Sequence, residues 1–157
     1  MSAQFSFVFV ILFGINQVLV AQSPIPAFQF LDLNGETFTQ SNLPEDQPVF
    51  IMRFDPYCEH CDTQAQWIAE AEEQFKDIHL VFVSFLDEVD AIQDFQTRHF
   101  SDTQLEHLHF LRDPDYQFEE YFGYTDESLV IYLYQPGKKS LKYFGKEQAA
   151  EILLKFL

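Results

Sequence analysis

The sequence predicts an α/β fold in which a central mixed β-sheet carries helices on both faces and begins with an N-terminal β-hairpin. Three observations support this prediction. Strand-like and helix-like segments follow one another in the order β-β, β-α-β-α-β-α, β-β-α, which places parallel and antiparallel strands in one sheet. The 157 residues are 47% hydrophobic and include 19 Phe, enough to fill the core of a single domain. An Asn34-Gly35 dipeptide between two strand-like segments is typical of a hairpin turn.

The first three strands are predicted from alternating or continuous apolar residues. Phe28–Leu33 alternates between the two faces of a strand, and Thr37–Thr39 resumes the strand after the Asn34-Gly35 turn. A loop is expected at Pro44–Pro48, because proline stands at both of its ends. The apolar run Val49–Phe54 then predicts a mostly buried strand.

In the middle of the chain, helices are predicted to alternate with strands. A helix begins near Cys61, and a second helix runs from about Glu88 to Phe100. Strands at His79–Phe85 and His107–Leu111 follow the first and the second helix. The apolar residues at helical spacing are Ala65, Ile68, Ala71 and Phe75 in the first helix, and Val89, Ile92 and Phe95 in the second.

The last third of the chain completes the predicted sheet. Asp113 is expected to cap a short helix that has Pro114 at its first position and ends at Phe122. The remaining elements are a strand, a turn, an antiparallel return strand and a final helix: Leu129–Tyr134, Gln135–Lys138, Leu141–Phe144 and Lys146–Leu157.

The N-terminal segment is predicted to direct export. Phe7–Phe13 is an unbroken apolar run, of a length that suits a signal peptide and falls short of a membrane span. We therefore expect residues 1–22 to be a signal peptide and residues 23–157 to form one domain in the periplasm or an equivalent space. The alternative is an uncleaved membrane anchor.

The charge of the chain restricts its partners. The formal net charge is −16, and 23 acidic residues face only 4 basic residues between Asp32 and Tyr134. A surface of this kind repels phosphate backbones and anionic lipids, so nucleic-acid binding is not expected. We expect a monomer that contacts a membrane only if its N-terminal segment stays uncleaved.

One motif carries chemistry. Cys58-Glu59-His60-Cys61 lies where a buried strand gives way to a helix, and a helix N-terminus stabilises a thiolate. We expect Cys58 to attack a disulfide of a partner protein and Cys61 to resolve the mixed disulfide. A purely structural disulfide is disfavoured, because a bridge between residues one turn apart removes little loop entropy.

The segment Phe54-Asp55-Pro56-Tyr57-Cys58-Glu59-His60-Cys61, the preceding hairpin and the final strand-Gly-Lys-strand-helix pattern resemble the thioredoxin superfamily. Within it, the chain is most similar to the exported TlpA/ResA-like thiol–disulfide oxidoreductases of the redoxin (AhpC/TSA) group. This resemblance implies a thioredoxin-like fold, electrons supplied by another dithiol protein, no dissociable cofactor and no metal at the site. Tyr57, Glu127 and Ser128 would line the groove for the partner.

The chain departs from the family pattern at several positions. The family's cis-proline would fall at Glu127 or Ser128, and no proline is near. Met52 stands where thioredoxins keep a buried acid, and Gln66 stands where a proline kinks the helix. Asp55, three residues before the first cysteine, replaces the threonine of the peroxiredoxin signature. A peroxidase is therefore not expected, and the departures predict less efficient turnover than that of a thioredoxin.

The two residues inside the motif are predicted to tune the redox potential in opposite directions. A protonated His60 stabilises the Cys58 thiolate and makes the pair more oxidising. Glu59 is an adjacent anion that favours the disulfide, and ResA-like reductants resemble this chain in carrying Glu there. The resemblance favours a reductant.

Two other functions remain open from the sequence. His107 and His109 share one face of a predicted strand and, with Cys58, Cys61 and His60, could form a copper carrier. The other alternative is a non-catalytic binding domain that keeps the fold and a disulfide, as the missing proline and buried acid would suggest.

Overall fold

The structure, a computed structural model, describes residues 25–136 and 142–157. The predicted signal peptide (residues 1–22), the first two residues of the predicted domain and the second half of the predicted turn, Gly137-Lys138, lie outside these residues. Within the described ranges, no helix is long and apolar enough to cross a membrane.

The described residues form one seven-stranded mixed sheet with the strand order β2-β1-β5-β4-β3-β6-β7. Strands β3, β4 and β5 run parallel to one another, whereas β1, β2, β6 and β7 are joined to their neighbours in antiparallel fashion. The strands are β1 Gln29–Asp32, β2 Thr37–Thr39, β3 Val49–Phe54, β4 His79–Ser84, β5 Leu108–Arg112, β6 Val130–Tyr134 and β7 Lys142–Phe144. The predicted mixed sheet is confirmed.

Helices cover both faces of this sheet. Apolar residues of α1, α2, α3 and α5 pack with β3 and β4 in one buried cluster, while Phe118 of α4 packs with the hairpin in a second cluster on the opposite face. The helices are α1 Glu59–Glu70, α2 Glu72–Phe75, α3 Val89–Phe100, α4 Phe118–Phe122 and α5 Ala150–Leu153, and a short 3-10 helix spans Gln40–Asn42. The predicted α/β class is therefore confirmed.

The hairpin turn forms where the Asn34-Gly35 dipeptide predicts it. Gly35 has a φ of 87°, a left-handed conformation that glycine adopts without strain. The carboxylate of Asp32 accepts hydrogen bonds from the main-chain amides of Asn34 and Glu36, each at 2.8 Å. The bond from Glu36 is the main reason why the pKa of Asp32 lies below its ordinary value.

Three predicted helix boundaries are wrong, two of them before β6. The helix after the cysteines ends at Glu70, and α2 is a separate turn that begins at Glu72. Pro114 does not begin a helix, because Tyr116 takes a positive φ of 55° and α4 starts only at Phe118. The carboxylate of Asp113 still acts as a cap, since it accepts the amides of Gln117 and Phe118 at 2.9 and 2.8 Å.

The predicted final helix, Lys146–Leu157, shrinks to Ala150–Leu153. The side-chain amide of Gln148 donates to the carbonyl oxygens of Lys146 and Glu147, at 3.3 and 2.7 Å. These carbonyls would accept the amides four residues further on in a helix, so a side chain competes with the first helical turn. Lys146 to Ala149 therefore remain irregular.

Candidate redox site

The first cysteine lies at the N-terminus of α1, directly after β3. Asp55 forms the turn between strand and helix: its carboxylate accepts the amide of Tyr57 at 2.8 Å, and its carbonyl accepts the amide of Cys58 at 3.1 Å. Cys58 is the N-cap, and its carbonyl accepts the amides of Cys61 and Asp62 at 3.0 Å. Cys58 therefore stands at the positive end of the helix, where the dipole favours an anion, although its side chain makes no cap hydrogen bond.

The two cysteines are free, and their environments differ. Cys58 is half-buried, whereas Cys61 is completely buried in the core cluster under α1. Burial raises the pKa of the Cys61 thiol far above its ordinary value. A main-chain hydrogen bond from Asp55 opposes this effect in part, and a side-chain hydrogen bond with Cys58 adds to it. Cys61 is thus held as a thiol while Cys58 reaches the surface.

A cavity of about 390 Å³ opens beside Cys58, and we call it the cysteine cavity. Its two walls come from the irregular segment before β6 and from the irregular segment after β7. Its lining residues are Cys58, His60, Glu127, Ser128, Leu129, Gly145, Lys146 and Glu147. Two of the three predicted groove residues, Glu127 and Ser128, therefore lie beside the cysteine pair.

Tyr57, the third predicted groove residue, lies elsewhere. Its ring is 69% exposed, and its hydroxyl donates to the carboxylate of Glu88 at 2.7 Å. It lines a separate acidic cleft between the cysteine turn and α3, with Asp87, Asp94 and Arg98 among the other lining residues. The structure does not bring Tyr57 into the cysteine cavity.

The two residues between the cysteines point to solvent. Glu59 is exposed in the first turn of α1. The side chain of His60 is 70% exposed, and its Nδ1 lies 3.2 Å from Oε2 of Glu147; both residues line the cysteine cavity. Glu147 was not found by sequence reasoning, because nothing in its local pattern links it to a motif 87 residues earlier.

The positions where the family keeps an acid and a helix-kinking proline have no equivalent group here. Met52 is completely buried in the same core cluster as Cys61. Gln66 is exposed and donates to Glu70 along the same helix at 2.8 Å. Asp55 is a carboxylate whose charge acts on the buried thiol, and it contributes to the raised pKa of Cys61.

The histidines considered as metal ligands lie at the other end of the sheet. His107 and His109 stack with His79, with ring centroids 4.3 and 5.8 Å from it. His79 begins β4 and pairs with Val49, five residues before the end of β3, so about 16 Å of strand separates this stack from the cysteine turn. Burial, with the neighbouring imidazoles, lowers the pKa of His79 to about 4. The predicted combination of these histidines with the cysteines does not form.

Sequence reasoning also missed two polar side chains next to the site, one partly buried and one buried. Arg53 of β3 donates through Nη1 to the carbonyl of Glu127 at 2.8 Å. Gln64 of α1 accepts the amide of Gln148 at 2.7 Å. A usable signal existed for both, since Arg53 interrupts an apolar strand and Gln64 falls one turn after Cys61 on the buried face of the helix.

A family model described as the AhpC/TSA family matches residues 21–143 of the chain. The chain belongs to the AhpC/TSA family. The resemblance to the wider redoxin group that the sequence predicts is therefore confirmed. A comparison with curated protein sequences gives no match.

Solved structures share the fold of this AhpC/TSA family member. A secreted Mycobacterium tuberculosis disulfide oxidoreductase homologous to E. coli DsbE superposes with a TM-score of 0.68 at 17% identity, over 87% of this chain and 100% of the other. MTB DsbF gives 0.67 at 20% identity, over 85% and 93%. Arabidopsis thaliana ScoI, solved with copper bound, gives 0.61 at 18% identity, over 83% and 94%. At these identities the likeness shows the thioredoxin-like fold.

Proposed function

We propose that this protein is a thiol–disulfide oxidoreductase that reduces protein disulfides outside the cytoplasm, with Cys58 as the nucleophile and Cys61 as the resolving thiol. The observation that carries the proposal is the asymmetry of the pair. Cys58 is accessible at a helix N-terminus and beside the cysteine cavity, while Cys61 is buried with a raised pKa. Thiol–disulfide exchange needs one accessible thiolate that attacks and one protected thiol that resolves the mixed disulfide.

The reaction balances with the two cysteines alone. The Cys58 thiolate attacks one sulfur of a partner disulfide, the partner's S–S bond breaks, and its second sulfur leaves as a thiolate that takes up a proton. Cys61 then loses its proton and attacks Sγ of Cys58, which releases the partner's first sulfur as a thiol. The partner gains two electrons, and the Cys58–Cys61 pair becomes a disulfide. Another dithiol protein returns the pair to the reduced state.

The acidic surroundings of the motif support the reducing direction. Glu59 is exposed in the first turn of α1, and an anion beside Cys58 favours the disulfide over the thiolate, whereas Asp62 in the same turn is paired with Arg98 at 3.1 Å. His60 opposes this effect only when protonated, and its ring lies beside the carboxylate of Glu147. The charges near the Cys58–Cys61 pair therefore favour its disulfide form, so the reduced pair tends to donate electrons.

Export by a signal peptide of residues 1–22 is part of the proposal. The apolar run Phe7–Phe13 supports it, as does the likeness to an M. tuberculosis protein that is described as secreted. A domain of residues 23–157 would then work in an oxidising compartment, where a reductant of protein disulfides has substrates. N-terminal sequencing of the mature protein from an exporting host tests the cleavage site.

Trapping tests the exchange reaction directly. In Cys61→Ser, the mixed disulfide between Cys58 and a partner protein cannot be resolved, so adducts should accumulate and disappear on treatment with dithiothreitol. Cys58→Ser is the matched control, since its remaining thiol is buried, and it should trap at least tenfold less. Equal trapping by both variants, or none by either under mild oxidation, would contradict exchange and favour the non-catalytic binding domain.

A copper carrier is the second candidate, because ScoI has the same fold and was solved with copper bound. In this chain it would have to use Cys58, Cys61 and His60, since His107 and His109 lie at the opposite end of the sheet. Among the described residues, no group of three His, Cys, Asp or Glu side chains has the geometry of a metal site. The reduced protein, loaded with Cu(I) and then dialysed, should retain copper in a 1:1 ratio only if it is a carrier.

A further inference from the structure

The irregular segment before β6, residues 125–129, forms one wall of the cysteine cavity, and the partly buried side chain of Arg53 contacts its main chain. Arg53 lies on β3, on the face opposite the cysteine helix, with its side chain only 12% exposed. Nη1 donates to the carbonyl oxygen of Glu127 at 2.8 Å. We propose that Arg53 is a positioning residue for disulfide exchange, holding this wall at the distance from Cys58 that a protein substrate requires.

The surroundings of Arg53 stabilise its charge at this position. Nη2 lies 3.3 Å from Oε1 of Glu119 on α4, and the guanidinium stacks 4.7 Å from the ring centroid of Phe85. A cation that is largely removed from water needs such partners. The planar guanidinium can donate hydrogen bonds to a carboxylate and to a carbonyl oxygen at the same time. Nε has no hydrogen-bond partner among the described residues, so the Glu127 carbonyl and Glu119 provide the polar contacts that hold the group.

Burial of Thr125 and Leu129 holds the two ends of the wall, whereas the three residues between them are exposed. Residues 125–129 belong to no helix or strand, and the amide of Glu127 is bonded locally to the hydroxyl of Thr125 at 3.1 Å. Arg53 therefore anchors the main chain at Glu127 while the side chains of Glu127 and Ser128 stay exposed. This arrangement fixes the backbone of the wall and leaves its side chains free to meet a partner.

A shift of Glu127 would change the width of the cysteine cavity. The opposite wall approaches closely at Gly145, where an added Cβ would lie 3.4 Å from Cγ of Glu127 and 3.3 Å from the hydroxyl of Tyr143. Cys58 lies between these two walls. We expect a protein substrate to contact both walls as it docks on Cys58, whereas a small disulfide can reach Cys58 with little contact to either wall.

The inference rests on the proposed function, and the experiment separates the two. Insulin serves as the protein disulfide and 5,5′-dithiobis(2-nitrobenzoate) as the small disulfide. Arg53→Met should slow insulin reduction about tenfold, the effect of losing one hydrogen bond to a charged group. The reaction of Cys58 with the small disulfide should change less than twofold. Arg53→Lys keeps the positive charge but lacks the planar guanidinium, so it should behave like Arg53→Met.

Glu119→Gln is the matched control, because it removes the ion pair and leaves the bond from Arg53 to Glu127. It should lower the denaturation midpoint without slowing insulin reduction. If it slows insulin reduction as much as Arg53→Met does, or if Arg53→Met slows both disulfides equally, Arg53 is only a structural residue. Hydrogen–deuterium exchange gives a readout without turnover: Arg53→Met should speed amide exchange in residues 125–129 about tenfold, and Glu119→Gln should not. A wild type that reduces no insulin contradicts the proposed function, while the amide exchange still decides the role of Arg53.

Discussion

The side-chain oxygen of Gln64 accepts a hydrogen bond from the main-chain amide of Gln148 at 2.7 Å, over a separation of 84 residues. Gln64 is completely buried one turn after Cys61, and Gln148 follows directly on Glu147, which lines the cysteine cavity. The bond therefore ties the helix of the cysteine pair to the second wall of the cavity. It also provides a hydrogen-bond acceptor for the Gln148 amide, which lies before α5 and makes no helical hydrogen bond.

Removing this acceptor should destabilise the protein. Gln64→Met keeps the side-chain length but leaves the Gln148 amide without its partner. Because it also removes Nε2, a buried donor with no partner among the described residues, we expect the free energy of unfolding to fall by only about 1 kcal/mol. Gln66→Met on the exposed side of the same helix is the control and should change it by less than about 0.5 kcal/mol. Urea denaturation measures both, and equal losses would mean that the Gln64 bond contributes nothing specific.

The difference between the cysteines should appear in their alkylation rates. Because Cys61 is buried and its pKa is raised, Cys58 should react with iodoacetamide at pH 7.5 more than about a hundredfold faster. The single-cysteine variants Cys61→Ser and Cys58→Ser separate the two rates, and mass spectrometry follows each adduct. Rates within threefold of each other would show that Cys61 is not protected, and the assignment of attacking and resolving sulfur would be lost.

The histidine stack predicts a loss of stability in mild acid. Burial and its histidine neighbours lower the pKa of folded His79 to about 4, whereas the unfolded side chain titrates near 6.5. Between these values the unfolded state binds the proton and the folded state does not. The free energy of unfolding should therefore fall as the pH drops from about 6.5 towards 4. Its slope against pH should correspond to the uptake of nearly one proton on unfolding.

His79→Gln is the test of this titration. It removes the titrating ring and keeps a polar group next to Gln47, whose Oε1 lies 2.8 Å from His79 Nε2. Urea midpoints measured from pH 8 to pH 5 should fall less steeply for the variant than for the wild type. Parallel curves would show that other groups, such as the many carboxylates, cause the acid sensitivity.

The two residues inside the motif should shift the reduction potential in opposite directions and by small amounts. Glu59→Gln removes an anion and should raise the potential, whereas His60→Ala removes a group that is cationic when protonated and should lower it. Both side chains are exposed, so water screens them and each shift should be about 5–20 mV. Equilibration with glutathione measures both, and shifts of the same sign would contradict the opposing roles.

The sheet and the cysteine turn could be predicted because local patterns determine them. The Asn34-Gly35 dipeptide, the apolar run of β3 and the strand–Cys-x-x-Cys–helix order each report on neighbouring residues only. The predicted helix boundaries were wrong where a side chain forms hydrogen bonds with main-chain groups that would otherwise pair within a helix. Gln148 does so before α5, and Asp113 does so before α4. The helical spacing of apolar residues does not indicate such competing hydrogen bonds.

The walls of the cysteine cavity could be predicted only in part. Glu127 and Ser128 followed from the family resemblance, but Tyr57 turns to the other side of the motif and bonds Glu88. Chain adjacency to a cysteine does not determine on which side of the helix N-terminus a residue lies. Arg53 could have been noticed because it interrupts an apolar strand, but its partner and that of Glu147 lie 74 and 87 positions away, and a single sequence does not indicate such pairs.

The reduction potential of the Cys58–Cys61 pair is the most direct test of the proposed function. The purified protein is equilibrated with dithiothreitol or glutathione buffers of known potential, and the fraction of free thiol is quantified. An exchange protein has a potential between about −120 and −270 mV, and we expect this pair to lie near the reducing end of that span. A value below about −300 mV would mean a disulfide that resists the common thiol pools, and the chain would then be a binding domain with a structural bond.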